Sequence, residues 1–348
     1  MKAVVKVAPG SGYVAYTDHP DPEVRPGQVI IEVRAAGVCG TDISLHNWTE
    51  SMVREFRPHP PLVMGHEFAG VVCEVGPGVT SFKAGDRVTA NPIMYCGTCF
   101  FCQAGQPSIC DSRPQLGLQL NGCFARFVTV RQENVYRVPP EVSFETAAMS
   151  ELLCVSLHAL DRVPVCPGDT VVVVGSGPMG HLMLLAARAA GASQLVMTGL
   201  REDRDRLRVA ESLGARTILA DEQEPAEMVR GLTRGLGADV VFECAGQPAG
   251  IPQALSLVRK GGRIGVLGQG SADVAFNPAI LSYREITLTG IRSYDAKVWH
   301  RSYDVLAGRS LPLETLITHR LPLEEAVRAI ELMQRRQGLK ILLTPQWG

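Results

Sequence analysis

The stretch TVVVVGSGPMGHLMLLAARAAGA, residues 170–192, combines an apolar strand, a glycine-rich turn and a helix in that order. Its turn holds three glycines in the spacing G-x-G-x-x-G. After a strand and before a helix, the first glycine allows a tight turn, the second lets a pyrophosphate approach the backbone, and the third permits close helix packing. The amino end of the helix favours a phosphate at the same place. The residues of this turn predicted to bind a dinucleotide are Gly175, Gly177, Pro178, Met179 and Gly180.

Further strands follow this stretch. Up to about residue 290, helical segments alternate with the apolar runs QLVMTG, ARTILA, ADVVFECAG, GRIGVLG and EITLTG. Such alternation indicates a parallel sheet covered by helices on both faces. Ligands bind at the carboxyl ends of the strands in such a sheet. We therefore predict that Cys244, Ala245, Leu267 and Gly268 line the same dinucleotide site.

The residues after the second strand bear on the choice between NAD and NADP. An NAD site usually carries Asp or Glu there, to bind the ribose 2′-hydroxyl. This chain has Gly199, followed by Arg201 and Arg204. The missing carboxylate favours NADP, because an arginine could bind its 2′-phosphate. Arginines alternate with acidic residues through 201–208, so an ordinary solvated helix surface is the alternative, and NAD stays open.

Outside this region the pattern changes. Residues 1–155 carry short β-like runs separated by Gly and Pro, among them QVIIEVRAAGV, EFAGVVCEVG, DRVTANPIM and FARFVTV. They predict a strongly bent sheet or barrel. Near the end lie an amphipathic helix at LEEAVRAIELMQRR and a strand at KILLTP. The fold class we predict is α/β, with a β-barrel domain beside a doubly wound parallel sheet.

Four cysteines lie within 15 residues, CGTCFFCQAGQPSIC, as Cys96, Cys99, Cys102 and Cys110. Four thiolates in a tetrahedral shell suit Zn²⁺ and leave no position for substrate. An iron–sulfur cluster also uses four thiolates, but no second cluster motif is present, so zinc is favoured. The spacing therefore predicts a structural zinc site. Cys73, Cys123 and Cys166 are interpreted as small buried residues.

A second candidate set is more dispersed. VCGTD supplies Cys39 and Thr41, and VMGHEFAG supplies His66 and Glu67. Taken alone, such residues are more often core or surface side chains than metal ligands. However, G-V-C-G-T-D, G-H-E-F-A-G, the four-cysteine lobe and the G-x-G-x-x-G turn occur here in one order. The chain thereby resembles the zinc-dependent medium-chain dehydrogenase/reductase superfamily, in its polyol (sorbitol-like) and threonine dehydrogenase branch.

The resemblance spans essentially the whole chain and implies its organisation. Residues 1–155 would form a GroES-like catalytic domain, to which residues 291–348 return. Residues 156–290 would form a Rossmann domain that binds NAD(P).

The resemblance also implies two zinc ions per chain. Cys39 and His66 would bind the catalytic zinc, with Glu67 as a ligand or an exchanging carboxylate. Glu151 corresponds to a further glutamate of sorbitol-like members. Cys154 lies on the same helix face and is a rival ligand.

A proton relay is implied as well. Thr41 would take the hydroxyl position of the relay, and Asp42 would orient a ligand such as His66. The outer end of the relay is open among Ser44, His46 and water, with His46 more simply an ordinary surface residue.

The implied reaction is hydride transfer between a secondary alcohol and NAD(P), with a polyol, cyclitol, sugar derivative or amino alcohol as substrate and a ketone as product. Zinc with an open coordination position polarises the alcohol oxygen, and the nicotinamide carries the hydride. Threonine 3-dehydrogenase is the nearest alternative. A non-catalytic, dinucleotide-binding redox sensor is the alternative from another class.

Composition limits the other partners. The chain has 34 basic and 35 acidic residues and a net charge of −1, which gives no reason to expect nucleic acid or a membrane surface as a partner. No apolar run reaches the roughly 18 residues of a membrane span, and the first residues lack the apolar region of a signal peptide. We therefore expect a cytoplasmic protein, and the resemblance implies a homodimer or homotetramer.

Overall fold

The computed structural model describes residues 1–308 and 310–345. Its strands are β1 (Lys2–Lys6), β2 (Val14–Asp18), β3 (Gln28–Gly37), β4 (Leu62–Val63), β5 (Glu67–Val75), β6 (Arg87–Ala90), β7 (Phe127–Arg131), β8 (Val135–Arg137), β9 (Thr170–Val174), β10 (Gln194–Gly199), β11 (Arg216–Leu219), β12 (Ala238–Glu243), β13 (Val258–Val266), β14 (Thr287–Gly290), β15 (Ile317–Leu321) and β16 (Lys340–Leu343). Its α-helices are α1 (Gly40–Asn47), α2 (Phe100–Gln103), α3 (Phe144–Ala147), α4 (Ser150–Arg162), α5 (Pro178–Ala189), α6 (Arg204–Ser212), α7 (Pro225–Leu232), α8 (Gly250–Leu257), α9 (Ala279–Arg284), α10 (Lys297–Ala307) and α11 (Ala326–Gln334).

The chain divides into two compact units. The first unit comprises Met1–Cys154, Asp295–Arg309 and Ile317–Gly348, and the second comprises Val155–Tyr294 and Ser310–Leu316.

This division differs from the predicted domain boundaries at Val155, which lies in the second unit, and in two further segments. Residues 291–294 cluster with the second unit, where Ile291 donates its N–H to Val266 O at 2.9 Å and packs in the core. Residues 310–316 also cluster with the second unit, because the turn at their end contacts α5. Of the returning segment 291–348, residues 309 and 346–348 lie outside the described residues.

The second unit is built on six parallel strands in the order β11-β10-β9-β12-β13-β14. Successive side chains of β9 point to opposite faces of the sheet. Val171 and Val173 pack in one core with Met183 of α5, whereas Val172 packs in another with Val229 of α7. Helices therefore cover both faces, and the predicted doubly wound parallel sheet is confirmed.

The first unit is a largely antiparallel assembly. One sheet has the order β15-β16-β3-β5-β6-β8, with β7 also paired to β3, and a second has the order β2-β1-β4. The register between β3 and β5 shifts at two places, and such irregularities bend a sheet. The bent sheet expected from residues 1–155 is thus present. Helix α11 buries Ala326, Ala329, Ile330 and Met333, the apolar face expected of it.

No helix within the described ranges combines the length and the apolar character that a membrane span requires.

Candidate functional site

Strand register brings the dispersed candidate ligands together. Gly37 at the end of β3 lies opposite Glu67 at the start of β5. Cys39, two residues beyond β3, therefore meets His66, which immediately precedes β5. The Cys39 Sγ, a ring nitrogen of His66 and a carboxylate oxygen of Glu67 all lie within 4.8 Å of one another. His66 and Glu67 are buried, with 2% and 0% of their surface exposed.

A buried lysine stands behind this group. Strand β16 pairs with β3, so that its first residue, Lys340, lies beside Val38 and Glu67. The Lys340 ammonium donates to Val38 O at 3.1 Å and forms an ion pair with the Glu67 carboxylate. Gly37 leaves the space for this pair, because a Cβ there would lie 2.9 Å from Lys340 Cε and would meet the Glu67 carboxylate. Burial lowers the pKa of Lys340, but Glu67 and then Cys39 outweigh it and raise that pKa above its usual value.

The group has the chemistry of a cation site. Within the described residues, His66 Nδ1 and Glu67 Oε1 are buried without a hydrogen-bond partner. Each buried polar atom that stays unpaired lowers the stability of the fold by about 1–3 kcal/mol, unless a ligand such as a cation binds to it. Burial lowers the pKa of His66, but the charge of Cys39, followed by Asp42 and Glu151, raises it to about 10. Thiolate, imidazole and carboxylate are the ligands that zinc prefers in proteins. The residues present therefore fit Zn²⁺.

Asp42 acts on this group through the backbone. Its Oδ2 accepts the N–H of Cys39 at 2.9 Å, at the start of α1. Its Oδ1 lies 3.9 Å from His66 Nδ1, which is too long for a hydrogen bond. Asp42 thus fixes the position of Cys39 and reaches His66 only by its charge. Burial raises the pKa of Asp42.

The predicted relay is only partly assembled. Thr41 Oγ1 lies 3.7 Å from Cys39 Sγ. Neither Ser44 nor His46 has a side-chain hydrogen bond to Thr41 in the described part of the chain. His46 is half-buried, its carbonyl accepts Gly12 N–H at 2.9 Å, and its interpretation as an ordinary surface residue stays a prediction.

The two rival residues on α4 lie outside the group of ligand atoms. Glu151 raises the pKa of His66 and Lys340 by its charge, but it is absent from the set within 4.8 Å. Cys154 is fully buried, and its thiol hydrogen-bonds to the side chain of Ser302 on α10. Burial raises the pKa of Cys154 well above its usual range, so it is held as a neutral thiol.

The four-cysteine lobe has the dimensions of a zinc shell. The sulfurs of Cys96, Cys99, Cys102 and Cys110 lie within 4.8 Å of one another, and three of their separations are 3.4, 3.8 and 4.0 Å. Four thiolates placed tetrahedrally at a Zn–S distance of 2.3 Å would stand about 3.8 Å apart. Backbone N–H groups of Thr98 and Cys99 lower the pKa of Cys96 to about 6, which favours the thiolate. All four sulfurs converge on one point, as a closed structural site requires.

The predicted dinucleotide residues of the glycine turn meet those that follow β12 and β13 at the carboxyl ends of β9, β12 and β13. Gly175 has φ +107°, and a Cβ there would lie 2.8 Å from Ala245 N. Gly177 precedes α5 and has open space around it, which leaves room for a phosphate at the helix amino end. A Cβ on Gly180 would collide with Gly175 O. Each glycine thus has the environment expected of it.

A buried glutamate organises the neighbouring turn. Glu243 ends β12 with 2% of its surface exposed, and its Oε1 accepts the N–H groups of Ala245 and Gly246, each at 2.9 Å. Its backbone carbonyl accepts the N–H groups of Leu267 and Gly268 at 2.8 and 3.0 Å. Glu243 therefore joins the two strand ends predicted to line the dinucleotide.

Comparison with known proteins places this geometry in a family. The alcohol dehydrogenase GroES-like domain matches residues 25–140, and zinc-binding dehydrogenase matches residues 178–308. A sorbitol dehydrogenase from Halalkalibacterium halodurans is 36% identical over 348 residues, 99% of each chain. An L-threonine 3-dehydrogenase from Bacillus subtilis is 35% identical over 99% of each chain. The chain belongs to the zinc-dependent medium-chain dehydrogenase/reductase superfamily.

A solved structure agrees with this assignment. A protein from Sinorhizobium meliloti 1021, described as a zinc-binding dehydrogenase bound to NADP, superposes with a TM-score of 0.90 at 30% identity and covers 99% of both chains. The GroES-like and Rossmann parts of the fold prediction are thereby confirmed. As a member of this superfamily, the protein is an oxidoreductase that uses zinc and NAD(P).

Negative charge lies close to the end of β10 in this dehydrogenase. Gly199 and Leu200 bring no carboxylate to the end of β10, but Asp221 and Glu222, which follow β11, lie beside it. Arg201 N–H is bound by Asp221 at 3.0 Å, and Glu222 accepts from the guanidinium groups of Arg201 and Arg204. The strands are parallel with Gly199 opposite Leu219, so the residues that follow them leave the sheet side by side. Two carboxylates therefore lie close to the end of β10, although none directly follows that strand in the sequence.

Two of the cysteines interpreted as buried are exposed in this dehydrogenase. Cys73 lies on the outer face of β5, because Val72 beside it faces the core and strand residues alternate. Cys166 lies in the turn before β9, whereas Cys123 is buried as expected.

Proposed function

We propose that this dehydrogenase oxidises a secondary alcohol of a polyol or a related hydroxylated substrate, with transfer of hydride to NADP in preference to NAD. The proposal rests on the convergence of Cys39, His66 and Glu67, two of which carry buried polar atoms without a partner in the described residues. The relatives named sorbitol dehydrogenase and L-threonine 3-dehydrogenase support a hydroxyl-bearing substrate.

Within this proposal each residue has a definite task. Cys39 and His66 hold the zinc, which when bound polarises the alcohol oxygen as a Lewis acid. Glu67 offers its Oε1, while Lys340 holds the other carboxylate oxygen and balances its charge. Thr41, 3.7 Å from the Cys39 sulfur, would relay the alcohol proton: its oxygen accepts that proton while its own hydroxyl proton passes on to the cofactor ribose or to water.

We propose a second zinc in the four-cysteine lobe, with a structural role. Its shell would be filled by Cys96, Cys99, Cys102 and Cys110 and would leave no position for substrate. The sulfur separations of 3.4–4.0 Å support this assignment.

We propose that the dinucleotide binds along the strand ends of the second unit. Its pyrophosphate would lie at the amino end of α5, beside Gly177. The guanidinium groups of Arg201 and Arg204 would bind the 2′-phosphate of NADP. The NADP-bound relative supports this choice of cofactor.

A substrate screen on zinc-loaded protein tests the proposal. Sorbitol, other polyols, cyclitols and L-threonine would each be supplied with NAD and with NADP, and NAD(P)H would be followed by absorbance. We expect turnover of a polyol, with a kcat/KM that is higher with NADP than with NAD. A higher kcat/KM for L-threonine would favour the threonine dehydrogenase alternative, as the 35% identical relative suggests. Dinucleotide binding without turnover of any alcohol would contradict the proposal and favour a redox sensor.

A further inference from the structure

The carboxylate of Glu222 is bound to the guanidinium groups of both arginines that follow β10. Glu222 Oε1 lies 2.7 Å from Arg201 Nε and 2.9 Å from Arg204 Nη2, and its Oε2 lies 3.2 Å from the same Arg204 nitrogen. Asp221 holds the backbone N–H of Arg201 at 3.0 and 3.2 Å. The Glu222 carboxylate is thus shared by two guanidinium groups. The Asp221 carboxylate fixes the backbone at Arg201.

The two arginines remain accessible from solvent. Their side chains are 71% and 54% exposed, whereas that of Glu222 is 27% exposed. A dissolved anion can therefore reach the guanidinium groups, and it meets Glu222 already bound there. Hydrogen bonds from Arg204 and then Arg201 lower the pKa of Glu222, so its carboxylate is charged at neutral pH.

We propose that Glu222 is a specificity-determining residue that competes with the 2′-phosphate of NADP for Arg201 and Arg204. This inference rests on the proposed function, in which these arginines bind the 2′-phosphate. Carboxylate and phosphate accept from the same N–H donors, and one donor cannot serve both fully. The carboxylate also repels the phosphate at close range. NAD has a neutral hydroxyl at this position and does not compete, so Glu222 limits the preference for NADP.

Removal of the charge of Glu222 tests whether this carboxylate competes with the 2′-phosphate of NADP. Dissociation constants for NADP and NAD would be measured by titration calorimetry on zinc-loaded protein, which needs no turnover. We expect Glu222→Gln to tighten NADP relative to NAD by about tenfold, the effect of one nearby charge on a phosphate. The matched control is Glu224→Gln, the same change two residues further on, where Glu224 has no ion pair within the described residues. It should alter the ratio by less than about twofold, because exposed charges at a distance are screened by salt.

The arginine variants decide which claim fails. If Arg201→Ala and Arg204→Ala weaken NADP but not NAD, while Glu222→Gln leaves the ratio unchanged or weakens NADP, the competition is refuted and the phosphate site survives. If neither arginine variant changes the affinity for NADP, both the proposed phosphate site and the role of Glu222 are wrong. Thermal unfolding of each variant, with a midpoint close to that of the parent protein, checks that the fold is intact.

Discussion

Lys340 and Glu67 form an ion pair that is buried on both sides, with 1% and 0% of their side chains exposed. The pair links β16 to β5 across the end of β3, next to Cys39 and His66. The lysine holds one carboxylate oxygen, so Glu67 has only the other oxygen to offer to a metal. Glu67 would therefore bind a metal through a single oxygen, and we predict that it exchanges with substrate rather than staying bound.

Removal of either partner should be costly, because it leaves the other charge buried alone. We expect Lys340→Met and Glu67→Gln each to lower the free energy of unfolding by about 3–5 kcal/mol. The double variant should lose much less than the sum, since the two residues are coupled. Denaturant unfolding at constant zinc measures all three.

An exposed pair in the same unit provides the control for this cycle. Lys2 and Asp18 lie 3.0 Å apart with side chains 51% and 83% exposed, so Lys2→Met should cost less than about 1 kcal/mol. Additive losses for Lys340→Met and Glu67→Gln would mean that the buried pair does not act as a unit.

Glu243 should govern dinucleotide affinity without favouring either cofactor. Glu243→Ala leaves the N–H groups of Ala245 and Gly246 without their acceptor, at a cost of about 1–3 kcal/mol. We expect NAD and NADP to bind about tenfold more weakly, to the same degree. Glu243→Gln keeps an oxygen at this position and should recover most of the affinity. Calorimetric dissociation constants for the two variants measure this effect, and equal affinity of Glu243→Ala and the parent protein would refute it.

His181 should make stability depend on pH in the acidic range. The ring lies on α5, fully buried, with its nitrogens 3.1 and 2.8 Å from the carbonyl oxygens of Gly177 and Arg206. Burial lowers the pKa of His181, so the folded protein favours the neutral ring. The unfolded chain takes up a proton near pH 6.5, and stability therefore falls as the pH drops below that value, by about 1.4 kcal/mol per pH unit until the folded pKa is reached.

The variant His181→Gln isolates the contribution of His181 to the pH dependence of stability, because it leaves the residues of both candidate metal sites unchanged. Thermal unfolding at about pH 7.5 and about pH 5.5 should show a larger loss for the parent protein than for the variant. Parallel losses would show that other groups, such as the zinc ligands, account for the whole pH dependence.

Sequence patterns predicted the local features well. The glycine turn, the six parallel strands and the cysteine lobe each depend on residues close together in the chain, so their spacing specifies their geometry. Two contacts between distant segments were missed. Lys340 is a lone charge in an apolar strand, and only the pairing of β16 with β3 places it against Glu67. Glu222 was missed for the same reason, since the β10–β11 register joins it to the arginines.

The central claim is that chemistry resides at Cys39 and structural support at the four-cysteine lobe. Bound zinc and turnover measured in the same preparations test it most directly. We predict that the parent protein holds two zinc ions and that Cys39→Ser holds one, with turnover lost and thermal unfolding little changed. Cys110→Ser should also lose one zinc but chiefly lower stability, because structural zinc contributes about 10–16 kcal/mol of apparent binding free energy. A Cys110→Ser protein that keeps both zinc ions and its stability but loses turnover, or an active Cys39→Ser protein, would contradict this division.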